Sequence, residues 1–508
     1  MNAYRISDDW KKDVPIPVYD EKSEFTELYY KAWELAHEHI KKVEGMPQTP
    51  YMDEGFCDTQ IWIWDSCFMS LFCKYSQTSF PGKETLKNFY EVLYDKKVLP
   101  KIIPSENEPK WTGAIPGVPY GLEIHIADNP PLFAWAEYEN ALLNGNVDNI
   151  KRLLDKGYLQ KHYHWLEGLT GSVRIEGVKN KTCFVNVKDG YKWEGGRSGM
   201  DNTPRGRIGA HAENERPNNP SMLWIDAICQ QALSANMIAK LFSLTGDDNN
   251  AIIWDEEYLK KRDLVNSLYW DEVDGFYYDI DFLTKDFYKV RTPASYWALV
   301  ANIASDEQAQ RMLEYIRSPL HFGGDVPLVS LSKSDADYSE KGNYWRGALW
   351  LPTAYAVIRG LTEYGFFDIS RELSVKIIDH MLKTYLEYTP HTIWEAYSPS
   401  GHAPATNETD TKRVRPDFCG WSALGPISLY IENVIGFYKI DAFNKVVYWS
   451  LPSEINGKIG VRNLRFGNVV ADIICSENTV RVLSNEPFTL KINNIDKKVS
   501  AGANEILL

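Results

Sequence analysis

The chain has 508 residues, of which 44% are hydrophobic, and its formal net charge is −14. A chain of this length exceeds the usual size of a single core, so we expect one large domain with a smaller appendage. The acidic balance argues against binding to a phosphate backbone, which requires clustered lysine and arginine, and no nucleic acid partner is expected.

The pattern of cysteines and of apolar residues indicates the kind of cellular compartment in which the chain works. The seven cysteines form no Cys-x-x-Cys pair, which disfavours a zinc cluster and a disulfide scaffold. The start of the chain is polar and charged, and no run of about 18 apolar residues occurs, so no membrane partner is expected. These patterns predict a cytoplasmic protein, or a periplasmic one if a signal peptide preceded this numbering.

The first 440 residues show the hydrophobic periodicity of amphipathic helices. Local signals such as Pro130-Pro131 before one pattern and Gly246 after another support the boundaries. The predicted helices cover residues 23–45, 60–76, 83–96, 131–144, 147–166, 220–243, 253–269, 294–303, 305–317, 344–363, 366–386 and 421–437. Long loops rich in Trp, Gly and Pro cover residues 97–128, 167–218, 318–343 and 388–420. Loops of this length in a compact domain usually carry function.

After about residue 440 the pattern changes to short alternating runs, which predict strands. These runs cover residues 445–449, 469–474, 479–483 and 489–492. Twelve helices followed by strands predict a mainly α protein: an (α/α)6 toroid over residues 1–440 and a small antiparallel β domain over residues 441–508. A solenoid is the weaker alternative, because no short-period repeat is visible.

Two carboxylates stand out in the long loops. Asp201 lies in the sequence Gly-Arg-Ser-Gly-Met-Asp-Asn-Thr-Pro-Arg, and Glu395 lies 194 residues later in Ile-Trp-Glu-Ala-Tyr-Ser-Pro. Glycine, aromatic and proline neighbours favour a loop over a solvated helix face, so the pair is interpreted as acid and base on opposite sides of a pocket. The structural alternatives are a turn or helix cap for Asp201 and a surface position for Glu395.

Further motifs follow one another in order along the chain. They are Trp64-Asp65-Ser66, Asn129-Pro130-Pro131 with Trp135, Ser198–Asn202, Trp270-Asp271-Glu272 with Asp274–Tyr277, Tyr344–Gly347 with Trp350, Glu395-Ala396-Tyr397 and Gly420-Trp421-Ser422. In this order, over residues 50–440, the motifs resemble glycoside hydrolase family 63. More broadly, they are similar to related (α/α)6 enzymes, including family 37 trehalases and mannosylglycerate or glucosylglycerate hydrolases.

The resemblance implies an inverting exo-acting α-glycoside hydrolase, with an α-glucosidase acting on short oligosaccharides or small glucosides as the first expectation. By its Ser-Gly-Met-Asp-Asn setting Asp201 matches the family's general acid, and by its Glu-x-Tyr setting Glu395 matches the general base. A trehalase and a mannosylglycerate or glucosylglycerate hydrolase are the alternatives. The expected partner is a small carbohydrate substrate.

Six further residues are predicted to bind the substrate. Indole rings stack on sugar faces, which is the role expected of Trp64, Trp345 and Trp421. Polar side chains that hydrogen-bond sugar hydroxyls or hold the carboxylates are expected at Asp65, Asn202 and Arg346. Tryptophan in a helix is more often part of the core, so Trp135 and Trp350 are assigned to packing.

Neither a metal nor another cofactor is expected. The acidic residues Asp271, Glu272, Asp274 and Asp279 form a segment that could hold a cation, although dispersed acids in turns explain it equally well. A sugar epimerase or lyase on the same toroid is disfavoured, because these enzymes use His or Tyr bases and often a basic cleft. A carbohydrate-binding protein without catalysis is disfavoured by the presence of both Asp201 and Glu395.

Overall fold

The computed structural model describes residues 9–42, 48–55, 61–76, 78–96, 102–103, 129–175 and 178–508. The predicted loop at 97–128 therefore lies almost entirely outside the described residues. Within the described part, no helix combines the length and the apolar character needed to cross a membrane.

In this part of the chain, helices alternate between an inner and an outer ring. The inner segments are Ile63–Cys73, Phe133–Asn144, Ile225–Thr245, Pro293–Tyr296 continued by Trp297–Val300, Leu351–Glu363 and Gly425–Ile435. The outer segments are Phe25–Glu38, Gly82–Lys96, Val147–Lys156 with Tyr158–Glu167, Asp248–Leu268, Asp306–Arg317 and Phe367–Glu387. Consecutive inner helices contact one another, and the last contacts the first, which closes the ring. The predicted (α/α)6 toroid is confirmed.

Burial explains which helices lie inside. Every residue of Ile63–Cys73 is buried, and so is every residue of the inner helix Leu351–Glu363 except the last. The outer helix Val147–Lys156 buries only Ile150 and Leu154, on one stripe. A helix that is apolar all round must be enclosed, whereas an amphipathic helix covers the outside, so the sequence pattern itself sorts the two rings.

The structure differs from the predicted elements at three places. The helix predicted at 421–437 is a 3₁₀ turn, Ser422–Leu424, followed by a π-helix, Gly425–Ile435. The helix predicted at 344–363 is interrupted, because Gly347 has a φ of +153° and the α-helix begins only at Leu351. The predicted loop 167–218 contains a three-stranded antiparallel sheet with strands Thr170–Ile175, Val178–Val187 and Gly190–Lys192.

The C-terminal region is the predicted β region, built of two sheets that meet at Phe466 and Phe488. One sheet contains Ile16–Tyr19, Lys458–Phe466, Val469–Ser476, Thr479–Ser484 and Gly502–Leu507, and the other contains Lys439–Asp441, Val446–Trp449, Phe488–Ile492 and Ile495–Val499. Pairing is antiparallel except between Val446–Trp449 and Phe488–Ile492. The N-terminal strand adds to this region, so the division of the chain at residue 440 stays a prediction.

Charged side chains fill the end of the toroid where the inner helices finish. Lys74 Nζ lies 2.9 Å from a carboxylate oxygen of Glu432 and 3.0 Å from one of Glu139. Arg359 lies within 3.4 Å of the same two carboxylates and also donates to the carbonyl oxygen of Tyr438. Burial alone would raise the pKa of Glu139, but Lys74 and Arg359 lower it to about 2. Helix C-termini carry partial negative charge, so the two cations also offset the helix dipoles.

This network generates a stability prediction. Changing Glu432 to Ala leaves Lys74 and Arg359 buried with one carboxylate fewer, and the expected loss is about 3–5 kcal/mol of unfolding free energy. Urea denaturation followed by circular dichroism measures it. The control is Glu505→Ala, which removes an exposed ion pair with Arg481 and should cost less than about 1 kcal/mol. Equal losses in the two variants would contradict a stabilising role for the network.

Candidate active site

A cavity of about 610 Å³ lies at the opposite end of the toroid, where inner helices begin. Trp62 and Trp350 directly precede two of these helices, and Trp421 precedes the 3₁₀ turn that leads into a third. All three residues line the cavity. Six of the eight predicted site residues come together in its wall: Trp64, Asp65, Asp201, Trp345, Glu395 and Trp421. The size is within the usual range of pockets for small ligands.

Asp201 reaches the cavity from a tight glycine loop that follows the short helix Gly195–Ser198. Gly199 has a φ of +87°, and a Cβ atom there would lie only 2.3 Å from Cζ2 of Trp64, so the loop requires glycine. The Asp201 side chain is 27% exposed, and its Oδ1 atom lies 3.8 Å from Nη2 of Arg216. The Asp201 carboxylate is therefore open to a ligand in the cavity.

Glu395 lies in the cavity wall with both carboxylate oxygens hydrogen-bonded. The hydroxyl of Tyr344 donates to Oε1 at 2.9 Å, and the backbone N–H of Arg415 donates to Oε2 at 3.1 Å. Burial raises the pKa of Glu395 above its ordinary value, although the Arg415 N–H and the Tyr344 hydroxyl each lower it. The Trp421 indole N–H donates to the Glu395 carbonyl oxygen at 2.8 Å, which fixes the backbone of the residue.

Tryptophan rings form the apolar wall between the two carboxylates. The Trp64 ring lies 5.7 Å from that of Trp421 and 6.2 Å from that of Trp345, measured between centroids. Trp350 stacks on Trp345 with centroids 4.1 Å apart and an angle of 6° between the rings. Trp350, assigned to packing from the sequence, also lines the cavity, whereas Trp135 packs among core aromatic rings. A wall of this kind offers flat faces to a sugar ring.

Asn202 and Arg346 are not in the cavity wall. Both amide atoms of Asn202 bond to residues 343–345, and the Arg346 guanidinium donates to the carbonyl oxygens of Asn202, Asn214 and Glu215. These side chains hold the loops around the site, and contacts of either one with sugar hydroxyls stay a prediction.

Asp65 contributes a third carboxylate, in the first turn of Ile63–Cys73. It is 4% exposed, and Glu54 and Asp53 are buried near it. Burial first, and then the charges of Asp65 and Asp53, raise the pKa of Glu54 well above its ordinary range. Glu54 therefore binds a proton more readily than an ordinary glutamate does, which limits the negative charge that accumulates behind the cavity.

Four basic residues that the sequence does not point to also line the cavity. Arg216 is bonded to Glu408 through Nε at 3.1 Å and Nη2 at 2.5 Å, and both residues line the cavity. Lys412, Arg413 and Arg415 line it as well. Arg216 and Glu408 are 192 residues apart, so no local pattern indicates that they meet.

Arg205, four residues after Asp201, anchors the glycine loop to the toroid. The Arg205 side chain is 1% exposed and forms paired hydrogen bonds with Asp226 at 2.7 and 2.9 Å and with Asp279 at 2.9 and 2.6 Å. Burial alone would lower the pKa of Arg205, but Asp226 and Asp279 raise it, so the guanidinium stays charged. The guanidinium also lies over the Trp224 ring, 4.4 Å from its centroid.

The acidic residues of the segment that begins at Asp271 form ion pairs with lysine and arginine side chains of the protein. Asp271 and Asp274 both pair with Lys289, and Asp279 pairs with Arg205. The exposed Glu272 pairs with Arg311, and Asp274 additionally pairs with Arg291. No cluster of three or more potential metal ligands occurs among the residues that the structure describes. Ion pairs within the protein account for these acidic residues.

Comparisons with known proteins bear on the fold and the family of the chain. A protein of Borreliella burgdorferi is 27% identical over 498 residues, which covers 95% of this chain and 94% of that protein. The mannosyl-oligosaccharide glucosidase of Saccharomyces cerevisiae is 26% identical over 314 residues, covering 55% of this chain but 34% of the yeast protein. The crystal structure of a GH63 mannosylglycerate hydrolase from Thermus thermophilus in complex with glucose matches with a TM-score of 0.57 at 18% identity, covering 79% of this chain and 99% of that one.

A family model matches most of the toroid. The model for the mannosylglycerate hydrolase MGH1-like glycoside hydrolase domain matches residues 58–411, which include both Asp201 and Glu395. The match covers more than half of the chain and agrees with the resemblance in motif order and with the toroid fold. The chain therefore belongs to the MGH1-like glycoside hydrolases and is a glycoside hydrolase.

Proposed function

We propose that the protein is an inverting, exo-acting α-glycosidase that releases glucose from short α-glucosides. One observation carries this proposal: Asp201 and Glu395 reach the same aromatic cavity from loops that are 194 residues apart in the sequence. An inverting reaction requires two carboxylic groups, because one protonates the leaving oxygen while the other removes a proton from the attacking water.

In this proposal Asp201 is the general acid and Glu395 the general base. The partly exposed side chain of Asp201 can approach a glycosidic oxygen, whereas Glu395 is buried and held at both oxygens. The assignment of the two roles rests on the matched motifs and on this difference in exposure, because the raised pKa of Glu395 suits an acid as well as a base.

The shape of the site supports action on a terminal sugar. A cavity of about 610 Å³ with tryptophan walls can bury one sugar ring and a small leaving group. The flat indole faces restrict the orientation of the ring, and Asp65 is among the polar groups that line the cavity with them. The proposed substrates are therefore short glucosides and not polymers.

The catalytic pair is tested by replacing each carboxyl group with an amide. Asp201→Asn and Glu395→Gln should each lower kcat on a short α-glucoside by at least about 10²-fold, because each proton transfer contributes on that scale. Unchanged circular dichroism shows that the variants fold, and Asp496→Asn in the β region serves as a matched control with wild-type turnover. Retained activity in either active-site variant would remove that residue from the assignment.

Stereochemistry is tested separately. Proton NMR in the first minutes of hydrolysis should show β-glucose before α-glucose, because water attacks from the face opposite the leaving group. Appearance of α-glucose first would contradict inversion. In that case, rescue of Glu395→Gln by azide with formation of the glycosyl azide of inverted configuration would identify Glu395 as the nucleophile of a retaining enzyme.

A second candidate is hydrolysis of a glycoside with an acidic leaving group, such as a glycosylglycerate. The observation in its favour is that Lys412 and Arg413 line the cavity in addition to Arg216, which is paired with Glu408. A carboxylate on the leaving group would be attracted to these cations, whereas a neutral sugar would not.

Paired substrates distinguish the two candidates. If the leaving group is acidic, kcat/KM for α-glucosylglycerate should exceed that for α-glucosylglycerol by about tenfold, on the scale of one charge-assisted hydrogen bond. Added salt and Lys412→Ala should both reduce this advantage. Equal values for the two substrates at low salt would exclude the second candidate and leave the neutral glucoside.

A further inference from the structure

Asn202, the residue after Asp201, is fully buried and directs both atoms of its amide to a single turn. Its Nδ2 atom donates to the carbonyl oxygen and to the side-chain oxygen of Asn343, each at 3.0 Å. Its Oδ1 atom accepts the backbone N–H of Trp345 at 2.8 Å. Three hydrogen bonds from one side chain therefore hold the turn at residues 343–345.

The turn has a conformation that non-glycine residues rarely adopt. Asn343 has a φ of +34° and Tyr344 a φ of +57°, in the left-handed region where a bulky aromatic residue is unfavourable. The N–H of Tyr344 donates to the carbonyl oxygen of Thr406 at 2.8 Å, and that of Asn343 donates to the Thr406 hydroxyl. Backbone strain of this kind persists only where surrounding contacts enforce it, and Asn202 supplies three of these contacts.

The strained turn directs the Tyr344 hydroxyl to Glu395, where it donates to Oε1 at 2.9 Å. Burial first, and then the charges of Glu395 and Asp201, raise the pKa of Tyr344 well above its ordinary range. The hydroxyl is therefore protonated throughout the working pH range and always acts as the donor. A continuous path of contacts joins the residue beside Asp201 to the carboxylate of Glu395.

We propose that Asn202 is a positioning residue that links the two halves of the catalytic pair, by holding the 343–345 turn so that Tyr344 orients Glu395. This inference rests on the proposed role of Glu395 as the base. A purely structural Asn202 would stabilise the loop and leave the chemistry of Glu395 unchanged. The two possibilities differ in the pH dependence of the reaction.

The charged and titratable groups that line the cavity with Glu395 set this pH dependence. They are Asp65, Asp201, Arg216, Tyr344, Glu408, Lys412, Arg413 and Arg415. Among the influences on the pKa of Glu395, burial raises it, and the Arg415 N–H and the Tyr344 hydroxyl lower it. Loss of the hydroxyl therefore raises this pKa further. Because a base must be ionised to act, the acidic limb of kcat/KM moves to higher pH.

The experiment measures pH–rate profiles of Tyr344→Phe and Asn202→Ala with the substrate that the wild-type enzyme cleaves. Both variants should shift the acidic limb to higher pH and lower kcat by about ten- to a hundredfold, as expected for a displaced catalytic group, while KM changes little. Asn202→Asp has nearly the same side-chain shape but lacks the amide donors, and it should shift the acidic limb in the same direction. This variant provides the test if Asn202→Ala fails to fold.

Matched controls come from the other end of the toroid. Tyr355→Phe removes a buried tyrosine hydroxyl that donates to a carboxylate, that of Glu432, at 2.9 Å. Asn140→Ala removes a buried amide that donates to backbone oxygens of an inner helix and its neighbour. Both controls should lower stability and leave the acidic limb in place.

A double variant tests whether Asn202 acts through Tyr344. Asn202→Ala combined with Tyr344→Phe should lower kcat by less than the product of the two single effects, because both changes remove the same contact with Glu395. A fully multiplicative loss, or an acidic limb unchanged in Asn202→Ala, would overturn the inference. Glu395→Gln is measured in parallel. Retained activity in Glu395→Gln would refute the assignment of Glu395 as the base. An inactive Glu395→Gln together with an unshifted acidic limb in Asn202→Ala would refute only the link between Asn202 and Glu395.

Discussion

The buried guanidinium of Arg205, held between Asp226 and Asp279, is the interaction on which the site depends. It joins the glycine loop that carries Asp201 to the inner helix Ile225–Thr245 and to the strand Asp279–Asp281. Asp279 also accepts the N–H of Ile225 at 2.9 Å, at the start of that helix. Since a buried ion cluster is stable only when every member has its partners, the position of the loop that carries Asp201 is fixed together with the ring.

Different groups of side chains lie at the two ends of the toroid. Inner helices begin at the cavity, where loops deliver carboxylates and indole rings, and they finish at the buried cluster around Lys74 and Arg359. Glu395 and Glu432 are both buried and both accept a tyrosine hydroxyl, but Glu432 lies with Lys74 and Arg359 beside a cavity of about 210 Å³, whereas Glu395 lines the cavity of about 610 Å³. The same local arrangement thus occurs beside neutralising cations at one end and beside aromatic rings at the other.

The sequence predicts the rings well because the period of apolar residues follows directly from helix geometry. The sequence also indicates Asp201 and Glu395 as candidate site residues, since glycine and aromatic neighbours are unusual around solvated carboxylates. Periodicity does not distinguish the π-helix Gly425–Ile435 from an α-helix. The role of Tyr344 depends on its left-handed backbone, and the Arg216–Glu408 pair depends on loops that meet only after folding. Such features arise from tertiary contacts, which a local pattern does not contain.

The strand Ile16–Tyr19 has a consequence for biosynthesis. Its hydrogen-bonding partner is Lys458–Phe466, and the early helix Phe25–Glu38 likewise packs on Gly425–Ile435. Ribosomes add residues from the N-terminus onward, so both early segments wait for most of translation before their partners emerge. Pairing over such a sequence separation slows folding and leaves a strand edge exposed in the nascent chain. The ring cannot close until Gly425–Ile435 has been synthesised, so a chain that ends before residue 425 lacks the last inner helix.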